Sequence, residues 1–367
     1  MISPKRFVVV VLVSSAVHAQ SPEHLSHSAV SYYLSDSGER VPIRTAADWR
    51  RRREQILAGM ELVMGALPRP AQPVPLDVQT IEEHAEQGFV RRKIAYHTDN
   101  ANKRVRAWLL LPVANEADAT SAKPRSKLPA VLCLHQTTPR GKDSPVGLSD
   151  RPTLHYAREL AQRGYVTLSP DYPSFGEYLY DFDADAYVSG SMKAIYDNIR
   201  AIDVLQSLTE VDPDRIGCIG HSLGGHNSLF TAVFDERLKA VVTCCGFTSF
   251  HKYMHGDLHG WSSPRYMPLI GSKYNYSPER MPFDFPEVLA AIAPRAVFVV
   301  APLHDDNFDI DGVRESLAAA KPVFELLGHG ENLQAVHPDS GHDFPDAERQ
   351  KAYEFLDRVL KSSAGGG

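Results

Sequence analysis

From residue 128 onwards, short apolar runs alternate with helix-length patterns, and this alternation restricts the chain more than any other feature. The runs are "LPAVLCLH", "YVTLSP", "RIGCIG", "LKAVVTCC", "RAVFVVAP" and "LQAVHP". Between them lie "HYARELAQRG", "SGSMKAIYDNIRAIDVLQSL", "LGGHNSLFTAVF", a helix over 312–327 and a final helix in "DAERQKAYEFLDRVL". Strands too apolar to face water on either side, most of them followed by a helix, predict βαβ crossovers and a mostly parallel sheet with helices on both faces. Upstream, "FVRRKIAYHTDNANKRVRAWLLLP" reads as two strands around a hairpin. The fold class is therefore α/β, a doubly wound sheet.

The N-terminal part has a different character. "MISPKRFVVVVLVSSAVHAQ" has Lys5 and Arg6, an apolar run from Phe7 to Val13, and small residues up to Ala19. That order is the one a secretory signal peptide needs, so residues 1–19 are expected to be cut after Ala19 and the protein exported, periplasmic or extracellular. The apolar run falls short of the roughly 20 residues that span a bilayer, so no stable membrane insertion is expected. Residues 20–87 read as an extension: a polar arm, an amphipathic helix in "AADWRRRREQILAGMELVMGAL", and a Pro-rich linker. The catalytic domain is expected over 88–362, with a cap-like insertion at about 247–287 and a frayed "SSAGGG" tail.

Charge narrows the partners. Loss of residues 1–19 removes Lys5, Arg6 and no acid, which takes the net charge from −6 to −8. A nucleic-acid partner would want a basic face, so none is expected, and Arg50–Arg53 read as a solvated helix face. The four cysteines, Cys133, Cys218, Cys244 and Cys245, lie in or directly after apolar runs and read as buried thiols without metal-ligand spacing.

Gly220-His221-Ser222-Leu223-Gly224 sits where a strand ends and a helix begins. Two glycines there permit a strained turn that lifts Ser222 above the sheet and aims the Leu223 N–H at the same point. A plain N-cap is the alternative reading of a serine at this junction. A serine nucleophile needs a base and the base an orienting acid, here in chain order Ser, acid, His. The acid belongs in "LHDDNF" after "RAVFVVAP", and the base is His342 in "DSGHDF", with His337 as second choice among 16 histidines. The second oxyanion donor is sought in "LHQTT", at Gln136 or, one step further into the loop mouth, Thr137.

The motifs "LHQTT", "RGYVTLSPDYPSFGEY", "IGHSLGG", "HDDNF" and "GHDF", in that order over residues 90 to 360, resemble the α/β-hydrolase superfamily. Within it the chain is similar to dienelactone-hydrolase-like and acetyl-xylan-esterase-like serine hydrolases, although the dienelactone hydrolases proper carry Cys where Ser222 stands. The resemblance implies an α/β-hydrolase fold and a carboxylic ester hydrolase, a serine esterase acting through an acyl-enzyme. It implies no cofactor and no metal, and a small-molecule or carbohydrate ester as substrate. In related hydrolases an apolar residue follows the acid by three positions, and counting back from Phe308 selects Asp305 over Asp306. Tyr172, Phe175 and Trp261 are the expected substrate contacts. The cap segment, with Tyr266, Tyr274 and Tyr276, either shapes the pocket or packs into the core. His251, His255 and His259 recur every four residues, but Gly256 interrupts the helix a shared zinc ion would need. Two other readings stay open: a serine peptidase of prolyl-oligopeptidase type, and a catalytically inactive hydrolase fold used for binding.

Overall fold

A computed structural model describes residues 27, 30–99, 103–113, 126–184 and 186–361. The expected signal peptide, 1–19, lies outside the described residues. Among them no helix is long and apolar enough to cross a membrane.

A short hairpin, β1 (Tyr32–Leu34) and β2 (Arg40–Pro42), precedes helix α1 (Ala46–Met64). The main sheet then collects β3 (Gln79–Glu86), β4 (Phe89–Tyr96), β5 (Val105–Pro112), β6 (Leu128–Leu134), β7 (Val166–Pro170), β8 (Val211–His221), β9 (Leu238–Cys244), β10 (Ala296–Val300) and β11 (Leu333–Val336). The helices are α2 (Tyr156–Gln162), α3 (Gly190–Ser207), α4 (Leu223–Phe234), α5 (Leu269–Ser272), α6 (Phe285–Ile292), α7 (Ile310–Leu326) and α8 (Asp346–Leu360). Spatial order is β11-β10-β9-β8-β6-β7-β5-β4-β3. β6 to β11 pair in parallel, while β3, β4 and β5 are antiparallel, β5 against β7. This is the doubly wound sheet expected from the sequence, with an antiparallel edge.

Strand periodicity divides the interior into two cores. Ala130, Leu132 and Leu134 of β6 face one side with Ile216, Cys218, Val241, Val297 and Val299, under α1, α3, α4, α6 and α7. Val131 and Cys133 face the other with Ile219, Val242 and Phe298, under α2 and α8. A one-residue slip in any central strand would exchange the two sets, so apolar runs of this kind hold their register tightly. From β6 the chain crosses one way to β7 and the other way to β8, and a crevice opens beyond the strand ends where the order reverses.

The N-terminal reading needs two corrections. The main sheet begins at Gln79, inside the segment expected to be extension and linker, because β3 pairs with β4 from Gln79↔Ala95 to Glu86↔Phe89. Its sequence, "QTIEEHAE", is polar on both faces because it is an edge strand whose residues are mostly exposed. The arginine run is also not a uniformly solvated face. Arg52 is fully buried and pairs with Glu287 on α6, while Arg53 donates to the Ala291 and Val233 carbonyls. Glu287 in addition meets His27 Nδ1 at 2.7 Å and closes the capping box of α6. Glu287→Ala leaves the Arg52 charge buried without a partner and is expected to destabilise the fold by about 3–5 kcal/mol. A lowered urea midpoint checks this, and adding Arg52→Leu should recover part of the loss if the buried charge is the cause.

Candidate active site

Ser222 stands between β8 and α4 with φ 55° and ψ −117°, a backbone conformation that L residues rarely adopt. Its N–H donates to the Cys244 carbonyl at 2.9 Å, and its own carbonyl accepts from Gly225 N at 2.8 Å. Close approach explains the flanking glycines. A Cβ on Gly220 would lie 2.2 Å from the Gly224 oxygen, and one on Gly224 would lie 1.9 Å from the Leu134 oxygen. Any larger residue at either position pushes α4 off β6 and β8. Leu223 is the first helical residue, so its N–H has no acceptor within the helix.

His342, on the loop between β11 and α8, places Nε2 2.9 Å from Ser222 Oγ. Its Nδ1 lies 2.9 Å from both Asp305 oxygens, which follow β10. The carboxylate selects the tautomer: Nδ1–H donates to Asp305, and Nε2 is left to accept the serine proton. Asp305 Oδ1 also accepts from Asn307 N at 2.9 Å and Phe308 N at 3.0 Å. Burial pushes the Asp305 pKa up, but His342 and these two N–H groups outweigh it and hold the carboxyl below its ordinary value. Asp306 is exposed, and His337 Nδ1 lies 3.0 Å from the Ala301 oxygen instead of facing the serine. Phe308 is buried and packs its ring 5.9 Å from the His342 ring, which steadies the base. A residue the sequence reading passed over, His221, lies buried with its ring 4.9 Å from that of His342. Burial, with the nearby His342 charge, lowers its pKa to about 3, so it stays neutral and does not compete for the proton.

The loop after β6 carries both candidates for the second oxyanion donor. Gln136 is buried, with Nε2 on Ser144 Oγ at 2.9 Å. Thr137 is exposed at the mouth, its Oγ1 3.1 Å from the Tyr266 hydroxyl. His135 ties this loop to the next: Nε2 accepts from Tyr172 N at 3.0 Å, and Nδ1 meets the Gln136 oxygen at 2.7 Å. Tyr172 and Phe175 pack against Leu223, so they form the wall beside the nucleophile. Tyr178, three residues further along the segment, turns inward, and its hydroxyl donates to Asp197 Oδ2 at 3.2 Å.

The cap-like segment divides between the two expected roles. Trp261 is 4% exposed, set among His226, Phe250, Phe285 and Phe308, so it is a core residue and offers no open contact surface. Tyr266 and Arg265 reach the mouth. Tyr266 bridges to Thr137, and Arg265 stacks on Phe175 at 4.4 Å while donating to Ser174 Oγ at 2.8 Å. Arg265 was not singled out by sequence, because nothing local distinguishes it from other polar cap residues, whereas Tyr266 was among the cap aromatics expected either to shape the pocket or to pack into the core. The three spaced histidines do not converge. Met254 and His255 have left-handed backbone, His251 faces Glu279, and His259 stacks on Tyr276.

A mostly parallel sheet with helices on both faces and a serine raised at the β8–α4 turn is the α/β-hydrolase fold; acid and histidine follow β10 and β11. The model of the prolyl oligopeptidase family matches residues 153–363, and the chain belongs to that family. YtaP of Bacillus subtilis (strain 168) is 27% identical over 312 residues, covering 81% of this chain and 96% of that protein. Among solved structures, the glucuronoyl esterase from Solibacter usitatus superposes with a TM-score of 0.68 at 20% identity, over 91% of this chain and 97% of that one. The acetyl xylan esterase from Paenibacillus sp. R4 gives 0.57 at 17% identity, over 87% and 97%.

Proposed function

We propose that the protein is an exported serine esterase that cleaves carboxylic esters on carbohydrate or similar small alcohols. The observation that carries the reading is the continuous chain Asp305–His342–Ser222, each link at 2.9 Å. His342 Nε2 takes the Ser222 proton as Oγ attacks the ester carbonyl, and Asp305 stabilises the imidazolium that forms. The Leu223 N–H and a second N–H from the Gln136–Thr137 turn hold the tetrahedral oxyanion. His342 returns the proton to the leaving alcohol, leaving an acyl-Ser222. Water, activated by the same imidazole, then releases the acid. Tyr172, Phe175, Arg265 and Tyr266 shape the mouth, a half-apolar, half-polar rim suited to a hydroxyl-bearing substrate.

The family name keeps a peptidase reading in view. Structural likeness to the glucuronoyl esterase and the acetyl xylan esterase favours the ester. The test is a substrate panel on the purified enzyme: p-nitrophenyl acetate, acetylated xylan, a glucuronate methyl ester, long-chain triglyceride and an aminoacyl-nitroanilide. Turnover of a short or sugar-linked ester at least tenfold above the anilide is expected. Preference for the anilide would establish the peptidase, and activity on triglyceride alone would end the carbohydrate reading. No hydrolysis together with no fluorophosphonate labelling of Ser222 would leave a binding module. Export is checked on the same preparation, whose N-terminal sequence should begin at Gln20.

A further inference from the structure

The parallel register of β8 and β9 places His221 beside Cys244, 23 positions later in the chain. Cys245 follows at the strand end with φ 49°, which turns its side chain back toward its neighbour. The Cys244 and Cys245 sulfurs are 3.7 Å apart. The Asp343 carbonyl oxygen lies 3.5 Å from the first and 3.4 Å from the second. A ring nitrogen of His221 lies within 4.8 Å of both sulfurs. All three side chains are buried, and neither His221 nitrogen has a hydrogen-bond partner among the described residues.

An ordinary pair of thiols sharing one carbonyl accounts for the sulfurs but leaves the imidazole unsatisfied, which is costly in the interior. Tetrahedral coordination accounts for both. With metal–sulfur bonds of about 2.3 Å and a metal–oxygen bond of about 2.1 Å, the edges of the tetrahedron are about 3.8 Å between sulfurs and about 3.6 Å from sulfur to oxygen. The sulfur–sulfur–oxygen triangle therefore already has the size of one face, and a His221 ring nitrogen within 4.8 Å of both sulfurs is near enough to supply the fourth ligand. We propose that His221, Cys244 and Cys245, with the Asp343 carbonyl, form a binding site for a thiophilic divalent cation of the zinc class.

Two thiolates and an imidazole exclude magnesium and calcium, which take oxygen donors. The step is a ligand exchange in which both thiols lose their protons to solvent and the cation binds two thiolates. The unit carries no net charge, so it is tolerable in the interior. Asp343 follows the base His342, and Cys245 Sγ also lies within 4.8 Å of an Asp305 oxygen and a His342 nitrogen. A bound cation thus fastens the loop that carries His342 to β8 and β9. It is not a reactant in ester cleavage.

The test uses the full mature enzyme, reduced and stripped of metal, titrated with Co²⁺ and Cd²⁺ and with Mg²⁺ as control. One equivalent of Co²⁺ or Cd²⁺ is expected to bind with thiolate-to-metal charge-transfer absorption and to raise the thermal midpoint in step with its concentration, while Mg²⁺ does neither. Cys244→Ala should weaken Cd²⁺ binding at least tenfold, and His221→Asn should also weaken it. Equal affinity in wild type and in Cys244→Ala would overturn the site. If the variants do not fold, the wild-type titration decides alone: no charge-transfer band, or no rise in midpoint, rejects it.

Discussion

Ser222→Ala is expected to lower kcat for any ester the enzyme turns over by roughly 10⁴- to 10⁶-fold while leaving the fold intact. The substitution removes one oxygen, whose structural role here is small: Ser222 makes no side-chain cap to α4. The strained backbone is held by other groups, the Cys244 carbonyl on one side and the glycine contacts on the other. Alanine keeps the same Cβ and so inherits the strain without adding to it. The thermal midpoint should therefore stay within a few degrees of wild type. Kinetics with a short ester and a melt on the same sample check both halves. Turnover near that of the parent would remove Ser222 from the mechanism, and with it the proposed function.

The second large effect separates two adjacent carboxylates. Asp305→Asn should reduce turnover by roughly 10³- to 10⁴-fold, whereas Asp306→Asn should cost at most about tenfold. An asparagine at 305 can still accept from Asn307 and Phe308 through its oxygen, so the loop is preserved. Its amide then offers a donor, or at best a neutral acceptor, to His342 Nδ1, which disfavours the tautomer with Nε2 free and leaves the imidazolium unstabilised. Asp306 is exposed and holds neither link. If Asp306→Asn proves the crippled variant, the loop register is wrong by one residue.

The same pair has a pH signature. Because the folded-state pKa of Asp305 lies below the ordinary 3.8, its contribution to stability is present above that value and is lost as pH falls through the lowered one. The gap in urea midpoint between wild type and Asp305→Asn should hold from pH 7 down to about 4 and close only in stronger acid.

How far the sequence can be read depends on whether the deciding contact is local. The strand–turn–helix at Ser222 was legible because all its requirements lie within five residues: glycine, serine, glycine, and the change from strand to helix pattern. Asp305 was selected over Asp306 by counting back from Phe308, a spacing implied by the resemblance to related hydrolases, and its carboxylate lies on His342 Nδ1 and on the Asn307 and Phe308 N–H groups. The role of β3 was not: an edge strand exposed on both faces has no apolar alternation to betray it, and only its pairing with β4 makes it a strand. Trp261 misled in the opposite direction, because an aromatic in a cap segment has the same sequence signature whether it faces a substrate or the core.

By itself the sequence determined the layered α/β architecture and the strand–turn–helix that carries Ser222, because hydrophobic periodicity and turn stereochemistry act between near neighbours. Tertiary structure alone decided which distant groups share one space. Arg52 is buried because Glu287 lies 235 residues away in the chain and at its side in the fold. Thr137 meets Tyr266 across the mouth although 129 residues separate them. His221 faces two cysteines because parallel pairing aligns β8 with β9 from Gly217↔Ala240 to His221↔Cys244. Electrostatic and coordinate contacts of this kind act through space at a few ångströms, and distance along the chain carries no information about them until the sheet has set the register.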